Sequence, residues 1–449
     1  MASSSAKRAR IAFQRFGLGP KPGGYARVAD DPVAAVHAEL DNPKLALIDD
    51  PDLPSRKKAA ALSQASFEAA EAIRQQELKA RIKKHLSVEV GFLERLTIFW
   101  SNHFSMSINK DAVIRGTLGQ LERDVIRPNL LGKFSNMHRG VMQHPAMLTY
   151  LDNQDSIGPN SPTGKSWGAG FNENLGRELM ELHTLGTAGG YTEEDVSNMA
   201  RILTGWSYVR GWESDGGYNG GTAQNRGQFI FRADWHEPGP IKLMGETYAG
   251  EGLKQGEKAL LDLAHNKATA QHIAFKLVRH FIADEPTPDM VDPVADAFRS
   301  SRGDLGATTL ALLALPAAWS APLTKIRTPY ELAIAQFRAM GTTYADDNVW
   351  AFSEPLRLMN NLPWERGAPD GYPDETYAWL DPDGMRIRLD TAMLAVDVFG
   401  GAVNQQPLKL ARSLYGASLS DEVEQALTWV TDKRAGLTLL FMTPDFQRR

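Results

Sequence analysis

Apolar residues recur at three-to-four spacing through most of this chain, the period of an amphipathic helix rather than the alternation of a strand. The pattern predicts a first helix at Ala6–Phe16, stopped by Gly17, Gly19 and Pro20. Ala59–Leu86 mixes small, charged and apolar residues and reads as one long exposed helix. Phe92, Leu93, Leu96, Phe99, Trp100 and Phe104 make a much more apolar, buried one. Phe134–Leu151 continues the series, broken or kinked at Pro145. Asn172–Leu185 is a helix ended by Gly186, and Thr192–Asp195 resembles a capping box opening the next, which ends near Leu203. Helices resume at Leu253, run through Ala268–Ile282, Met290–Arg299 and Pro329–Met340, and fill the C-terminus.

Three stretches break the pattern. Ser156–Gly170 is a Gly/Ser/Pro loop, and Asn360–Pro382 is a Pro/Gly/Trp-rich one. Between residues 205 and 250 glycines accumulate around Trp206–Val209 and Gln228–Phe231, which predicts a loop insertion with a small β-hairpin. Thr309–Pro316 echoes Leu437–Pro444, but the match is too short for a repeat architecture. The expectation is a mainly α fold, one large multi-helix domain over residues 1–449.

Composition narrows the chemistry. The 449 residues are 43% hydrophobic and 23% charged, enough apolar material for a sizeable core. A net charge of −5, with the signs intermixed, argues against nucleic acid as partner. No apolar run is long enough to span a bilayer. Zero cysteines exclude disulfides, thiolate catalysis and thiolate metal sites. Met1–Ala29 carries six basic residues and no acid, like a transit peptide, yet has no apolar core. The first amphipathic helix explains it, and with no visible signal peptide the expectation is a soluble cytoplasmic protein, with the periplasm or envelope as the other compartment.

Two nucleotide- or nucleophile-like motifs are decoys. Gly164-Lys-Ser-Trp-Gly168 fits the nucleophile elbow, but a Pro-rich loop precedes it instead of a strand. Gly158…Gly164-Lys165-Ser166 has five intervening residues where a phosphate loop needs four. No nucleotide loop is therefore expected, and neither Lys165 nor Ser166 is expected to matter.

The dense polar segment Asn172–Trp206 draws most attention. On a wheel of 100° per residue, Leu175, Leu179, Leu182 and Leu185 form the core stripe. Glu173, Asn174, Arg177, Glu181 and Thr184 fall on a polar face where i,i+4 pairs need only a solvated ladder. Glu178 projects into the apolar stripe. A carboxylate there needs a cation, a hydrogen bond, a metal or a proton, with Arg201 or Arg123 as structural partners. His183 borders the same stripe beside Asn172. His103 falls on the apolar face of the helix before it, either as a satisfied core histidine or, with Asn102 and Lys110 nearby, as part of a site.

Together these pieces resemble the bacterial family known as domain of unknown function 1800. The resemblance is carried by Arg15–Pro20, Phe99–Phe104, His144–Asn153, Asn172–Asn174, Arg177–Gly186, Gly190–Thr192, Leu203–Trp206, Pro329–Glu331 and Thr443–Arg448. It runs nearly end to end and implies one continuous unit, but brings no activity. It also implies an exported protein, often encoded beside a sulfatase-like one, a pattern from which this chain departs in lacking a visible signal.

Two functions follow as expectations. One is a hydrolase-type enzyme acting by acid–base chemistry on a sugar, a phosphoester or an acidic or sulfated glycan. Its catalytic residues would be Glu178, His183, His103 and Asp152, and its binding residues Asn102, Asn153, Asn172, Asn174, Arg177, Trp206 and His236. A variant uses Asp152, Glu178 and His183 to hold a hard divalent cation. The other function is a non-catalytic binding or maturation partner of a sulfatase-like envelope protein, with 205–250 as contact surface. In the enzyme reading the central motifs meet in one cleft, with 205–250 near its mouth.

Overall fold

The computed structural model describes residues 4–216, 221–222, 224–249, 252–342 and 349–449. Helix makes up 64% of it, so the fold is mainly α as the periodicity requires. Strands form only two antiparallel ribbons among the described residues. In the first, β1 (Trp206–Tyr208) pairs with β2 (Phe229–Phe231), Ser207 opposite Ile230, which is the expected hairpin. The second, β3 (Ile241–Leu243) with β4 (Glu246–Tyr248), had no counterpart in the reading of the chain. One hydrophobic cluster runs from Ala6 to Phe446. No helix of the described residues is long and apolar enough to cross a membrane.

The periodicity errs where local chemistry intervenes. The long 59–86 helix is two, Arg56–Ala65 and Phe67–Ser87. Ser66 is extended between them and its hydroxyl caps the second through Ala69 N at 3.1 Å. Nor is the pair exposed: Ala70, Ile73, Leu78 and Ile82 are buried. Close approach to helix Ala112–Leu121 is permitted by Gly116, where a β-carbon would collide with Ser63. Pro145 breaks the 134–151 stretch, as its ring requires, and starts the next helix, with His144 as its N-cap accepting from Ala146 N at 3.2 Å. The 156–170 loop contains a short helix, Pro162–Trp167.

The consequential error lies in the polar helix. It is α-helical only over Asn174–Glu178 and then widens into a π turn over Leu179–His183. Thr184 ties that turn by donating its hydroxyl to Leu179 O at 2.7 Å. The extra residue per turn rotates the residues beyond Glu178, so a 100° wheel misplaces Leu182, although Leu179 and Leu185 are buried as the wheel has them. Met180 and His183 enter the core, while Leu182 turns outward.

Buried arginines bind the helices. Arg15 donates to the carbonyls of Ala317, Ala318, Ala321 and Pro322. Glu331, which also closes a capping box with Thr328, pairs with Arg95 at 2.7 Å and with the C-terminal Arg449 at 2.8 Å. Arg95 reaches His280 Nε2 at 3.1 Å, and His280 Nδ1 reaches Asp374 at 2.6 Å. A guanidinium only donates, so Nε2 is the bare nitrogen and His280 is neutral, donating to Asp374 from Nδ1. This chain of contacts runs from the core helix Phe92–His103 to the loop beyond residue 366, and so fixes one wall of the site.

Candidate functional site

A cleft of about 990 Å³ opens between helix Lys267–Phe281, the turn at 181–188 and the loop at 366–377. The helix contributes His272, Phe275, Lys276 and Arg279. The turn contributes Glu181, Leu182, Leu185 and Gly186, and the loop Arg366, Asp370, Tyr372, Asp374, Glu375 and Tyr377. Asn102 lies at its base and also lines a small adjoining cavity of about 70 Å³.

The loop is held stiffly despite its Pro/Gly content. Asn102 Nδ2 donates to Tyr372 O at 2.8 Å and its Oδ1 accepts from Tyr372 N at 2.7 Å. Gly371 has φ +83, and a β-carbon there would stand 2.5 Å from Asn102 O, so only glycine fits. Arg279 pairs with Glu375 at 2.6 Å and Arg366 with Asp370 at 3.0 Å. Burial pushes the Asp374 carboxyl up, but His280, Arg449 and Lys325 outweigh it and hold it well below the usual carboxylate range.

One cation is left over. Lys276 is half-buried, and its ammonium makes no hydrogen bond or salt bridge among the described residues. Burial lowers its pKa, Arg279 adds to that, and Asp374, Asp370 and Glu375 oppose it. One helical turn earlier, His272 Nε2 lies 3.0 Å from Leu182 O. Burial and the Lys276 ammonium bring this imidazole down to about 4, against the pull of that carbonyl.

Behind the wall His103 and His183 are sealed among Trp100, Phe104 and Phe134. Their rings are 5.9 Å apart, and His103 is 6.3 Å from His272. His103 donates from Nε2 to His183 O at 3.2 Å, while its Nδ1 and both nitrogens of His183 have no partner. Burial first, then Lys276 for His103, and His138 followed by Lys276 for His183, holds these imidazoles far below their ordinary pKa. Of the two, His103 has the ring contact with the cleft-lining His272.

Of the residues expected to form the site, Asn102 lines the cleft. Glu178 does not line it, but lies half-buried beside Glu181 and Asp370, which do. It pairs with neither expected arginine: Arg123 goes to Glu77 at 3.0 Å, and Arg201 lies over Phe171. Burial, then Glu181 and Asp370, raise its pKa against Arg177. Arg177 forms the expected ladder with Glu173 and Glu181 and adds Glu193.

The others have local structural roles. Asp152 sits at the surface, paired with Lys110 at 2.7 Å. Asn153 is buried and ties Leu203 O and Trp206 O. Asn172 Oδ1 accepts from Asn174 N at 2.8 Å, opening the helix, and Asn174 itself is exposed. Trp206 is fully buried against Phe229, and His236 Nδ1 lies 3.0 Å from Thr204 O. Asp152, Glu178 and His183 are not brought together, and no group of three or more metal-ligating side chains occurs among the described residues. No described residue of 205–250 lines the cleft. Lys165 and Ser166 are exposed on their short helix, with no strand before it.

Sequence reasoning missed His272, Lys276, Arg279 and the loop acids Asp370, Asp374 and Glu375. The available signal was an i,i+4 His/Lys pair on the border of an apolar helix, and acids clustered in a loop otherwise rich in proline and glycine.

Among known proteins, the family model described as "Protein of unknown function (DUF1800)" matches residues 11–448. No curated protein and no solved structure matches the chain.

Proposed function

The chain belongs to the DUF1800 family, whose description carries no chemistry, and from the cleft we propose an enzyme that binds an anionic carbohydrate and acts on it by acid–base catalysis. The observation that carries this reading is Lys276. An ammonium half out of water, with acids acting on it but no carboxylate within salt-bridge distance among the described residues, is poorly neutralised in the free protein and becomes favourable when a carboxylate or sulfate group arrives. The space of about 990 Å³ suits a sugar chain rather than a small metabolite. Phe275, Tyr372 and Tyr377 offer ring faces for pyranose rings, and Asp370 and Glu375 offer acceptors for hydroxyl groups. Glu178, its pKa raised by burial and by the cleft-lining Glu181 and Asp370 against Arg177, suits the proton donor of a hydrolytic step, reaching the cleft through a bridging water.

The test is equilibrium binding of purified full-length protein to uronate-containing and sulfated oligosaccharides, against neutral ones of equal length. Anionic chains should bind, Lys276→Met should weaken them at least tenfold, and Glu178→Gln should abolish release of new reducing ends while leaving binding. Equal binding of neutral and anionic chains would sink the anionic reading. Binding without turnover across the set would move the protein to the non-catalytic class, a binding or maturation partner of a sulfatase-like protein.

A further inference from the structure

We propose that His272 is the proton acceptor of this cleft, acting through the lone pair of Nδ1. The proposal deepens the acid–base reading above and rests on it. A carbonyl only accepts, so the 3.0 Å contact with Leu182 O places the imidazole hydrogen on Nε2 and the lone pair on Nδ1. That nitrogen makes no hydrogen bond, and, unlike the ring nitrogens of His183, it is not sealed from solvent.

Its freedom depends on Gly186, which also lines the cleft. A β-carbon at 186 would lie 2.7 Å from His272 Nδ1, and the residue sits at φ +77, where side chains are rare. The turn that closes the π segment is thus bare at the spot where a methyl group would cover the lone pair.

The charged groups sharing this cleft are Lys276 and Arg279 on the same helix, Glu181 on the turn, and Arg366, Asp370, Asp374 and Glu375 on the loop. Of these, only Lys276 acts appreciably on His272, adding to the burial that already lowers its pKa. His103, tilted behind it at 6.3 Å, repeats the tautomer and adds no charge. An anion seated on Lys276 cancels the pull of that ammonium, so ligand binding makes His272 a stronger base. In the step, the O–H bond of an attacking water breaks and the proton joins Nδ1. The electron pair left on oxygen forms the new bond to the substrate carbon as that carbon's bond to the leaving oxygen breaks. The leaving oxygen takes its proton from Glu178 through a bridging water, since Glu178 lies beside the cleft-lining Glu181 and Asp370 and not in the lining itself.

Diethyl pyrocarbonate, which among histidine nitrogens acylates only a neutral, reachable one, tests this on the full-length protein with peptide mass spectrometry that locates the carbethoxy group on His272. At pH 5 a ring with a pKa of about 4 is about 90% neutral, against about 3% for an ordinary one. His272 should therefore react at pH 5 at nearly its pH 7 rate. Lys276→Met should move the midpoint of its pH profile upward, and Gly186→Ala should slow the reaction at least fivefold. An unreactive His272 in the folded wild type, or a midpoint near the ordinary imidazole value, would overturn the proposal, whether or not Gly186→Ala folds. No sugar is needed, so a failure here and a failure of the carbohydrate reading are told apart.

Discussion

Asn102 holds Tyr372 by both of its backbone groups, donating to the carbonyl at 2.8 Å and accepting from the N–H at 2.7 Å. One side chain of the core helix thus acts as a strand partner for a loop 270 residues away, and that loop carries the acidic wall of the cleft.

Asn102→Ala should therefore damage the loop more than the fold. Leaving two half-buried backbone groups unpaired costs about 1–3 kcal/mol. Hydrogen exchange should quicken at Tyr372 and its neighbours while helix Phe92–His103 stays protected. Unchanged exchange at Tyr372 would show that the arginine and lysine ties to Asp374 and Glu375 suffice without Asn102.

Glu331 gives the opposite case, a carboxylate whose partners are all in place. Burial pushes it up, but Arg449 and Arg95 outweigh that and bring it down to about 2. A carboxyl depressed on folding contributes stability that is complete above its unfolded pKa, about 4.3, and is lost as pH falls toward 2. Denaturant melts should show stability dropping through that window. Glu331→Gln should cost about 3–5 kcal/mol at neutral pH, because it strands two buried guanidinium groups. The mutant's own acid dependence should be visibly shallower than the wild type's.

Much of this architecture was legible along the chain, and the reason is locality. The capping box at Thr192 and the aromatic stripe of Phe92–Phe104 are encoded within a few residues of themselves, and each strand of the hairpin around Trp206 carries its own aromatic and β-branched signal. The cleft is not. Lys276 and His272 look like the solvated border of an ordinary amphipathic helix until the loop from Arg366 to Tyr377 comes to lie opposite them. That loop looks like a linker until Asn102, His280 and Lys325 are seen to hold it. The wheel that placed Leu182 inside assumed 3.6 residues per turn, and the π turn at Leu179–His183 removes that assumption where the site begins. The residues that matched family motifs at Arg15, Asn153 and Glu331 serve packing, while those at Asn102, Glu178 and Gly186 stand at or beside the cleft, so motif membership alone did not separate structure from chemistry.

Glu178 separates the structural from the functional view of the polar helix. Its pKa is raised on folding by burial and by Glu181 and Asp370. The folded state then binds the proton more tightly than the unfolded one, so stability falls as pH rises from the unfolded pKa through the folded one. Above that window the ionised carboxylate is a liability. Glu178→Gln should leave stability at pH 7 unchanged or higher, and flatten its dependence between pH 4 and neutrality. A marked loss of stability in urea melts would mean that a cation partner exists and that Glu178 is structural.

Lys276→Met tests whether the cleft is strained for use. Methionine keeps the length of the apolar stem and removes an ammonium that no carboxylate holds within salt-bridge distance among the described residues. If the ammonium is there for a ligand, the ligand-free mutant should be at least as stable as wild type, the usual relation at a functional site. The pH dependence gives a second handle. Lys276 has its pKa lowered on folding, by burial above all. Between the folded and unfolded values the unfolded chain binds more protons, so the wild type should gain stability relative to Lys276→Met as pH rises from the folded value toward the ordinary lysine range. Urea melts of both proteins at pH 7 and pH 10, each with and without sulfate, measure all of this. Sulfate should stabilise the wild type beyond its general salting effect, and that excess should vanish in the mutant. A mutant that unfolds more readily than wild type at pH 7 without anion would mean that the ammonium is already satisfied by Asp370, Asp374 and Glu375 at longer range. The cleft would then have no vacant positive charge to offer.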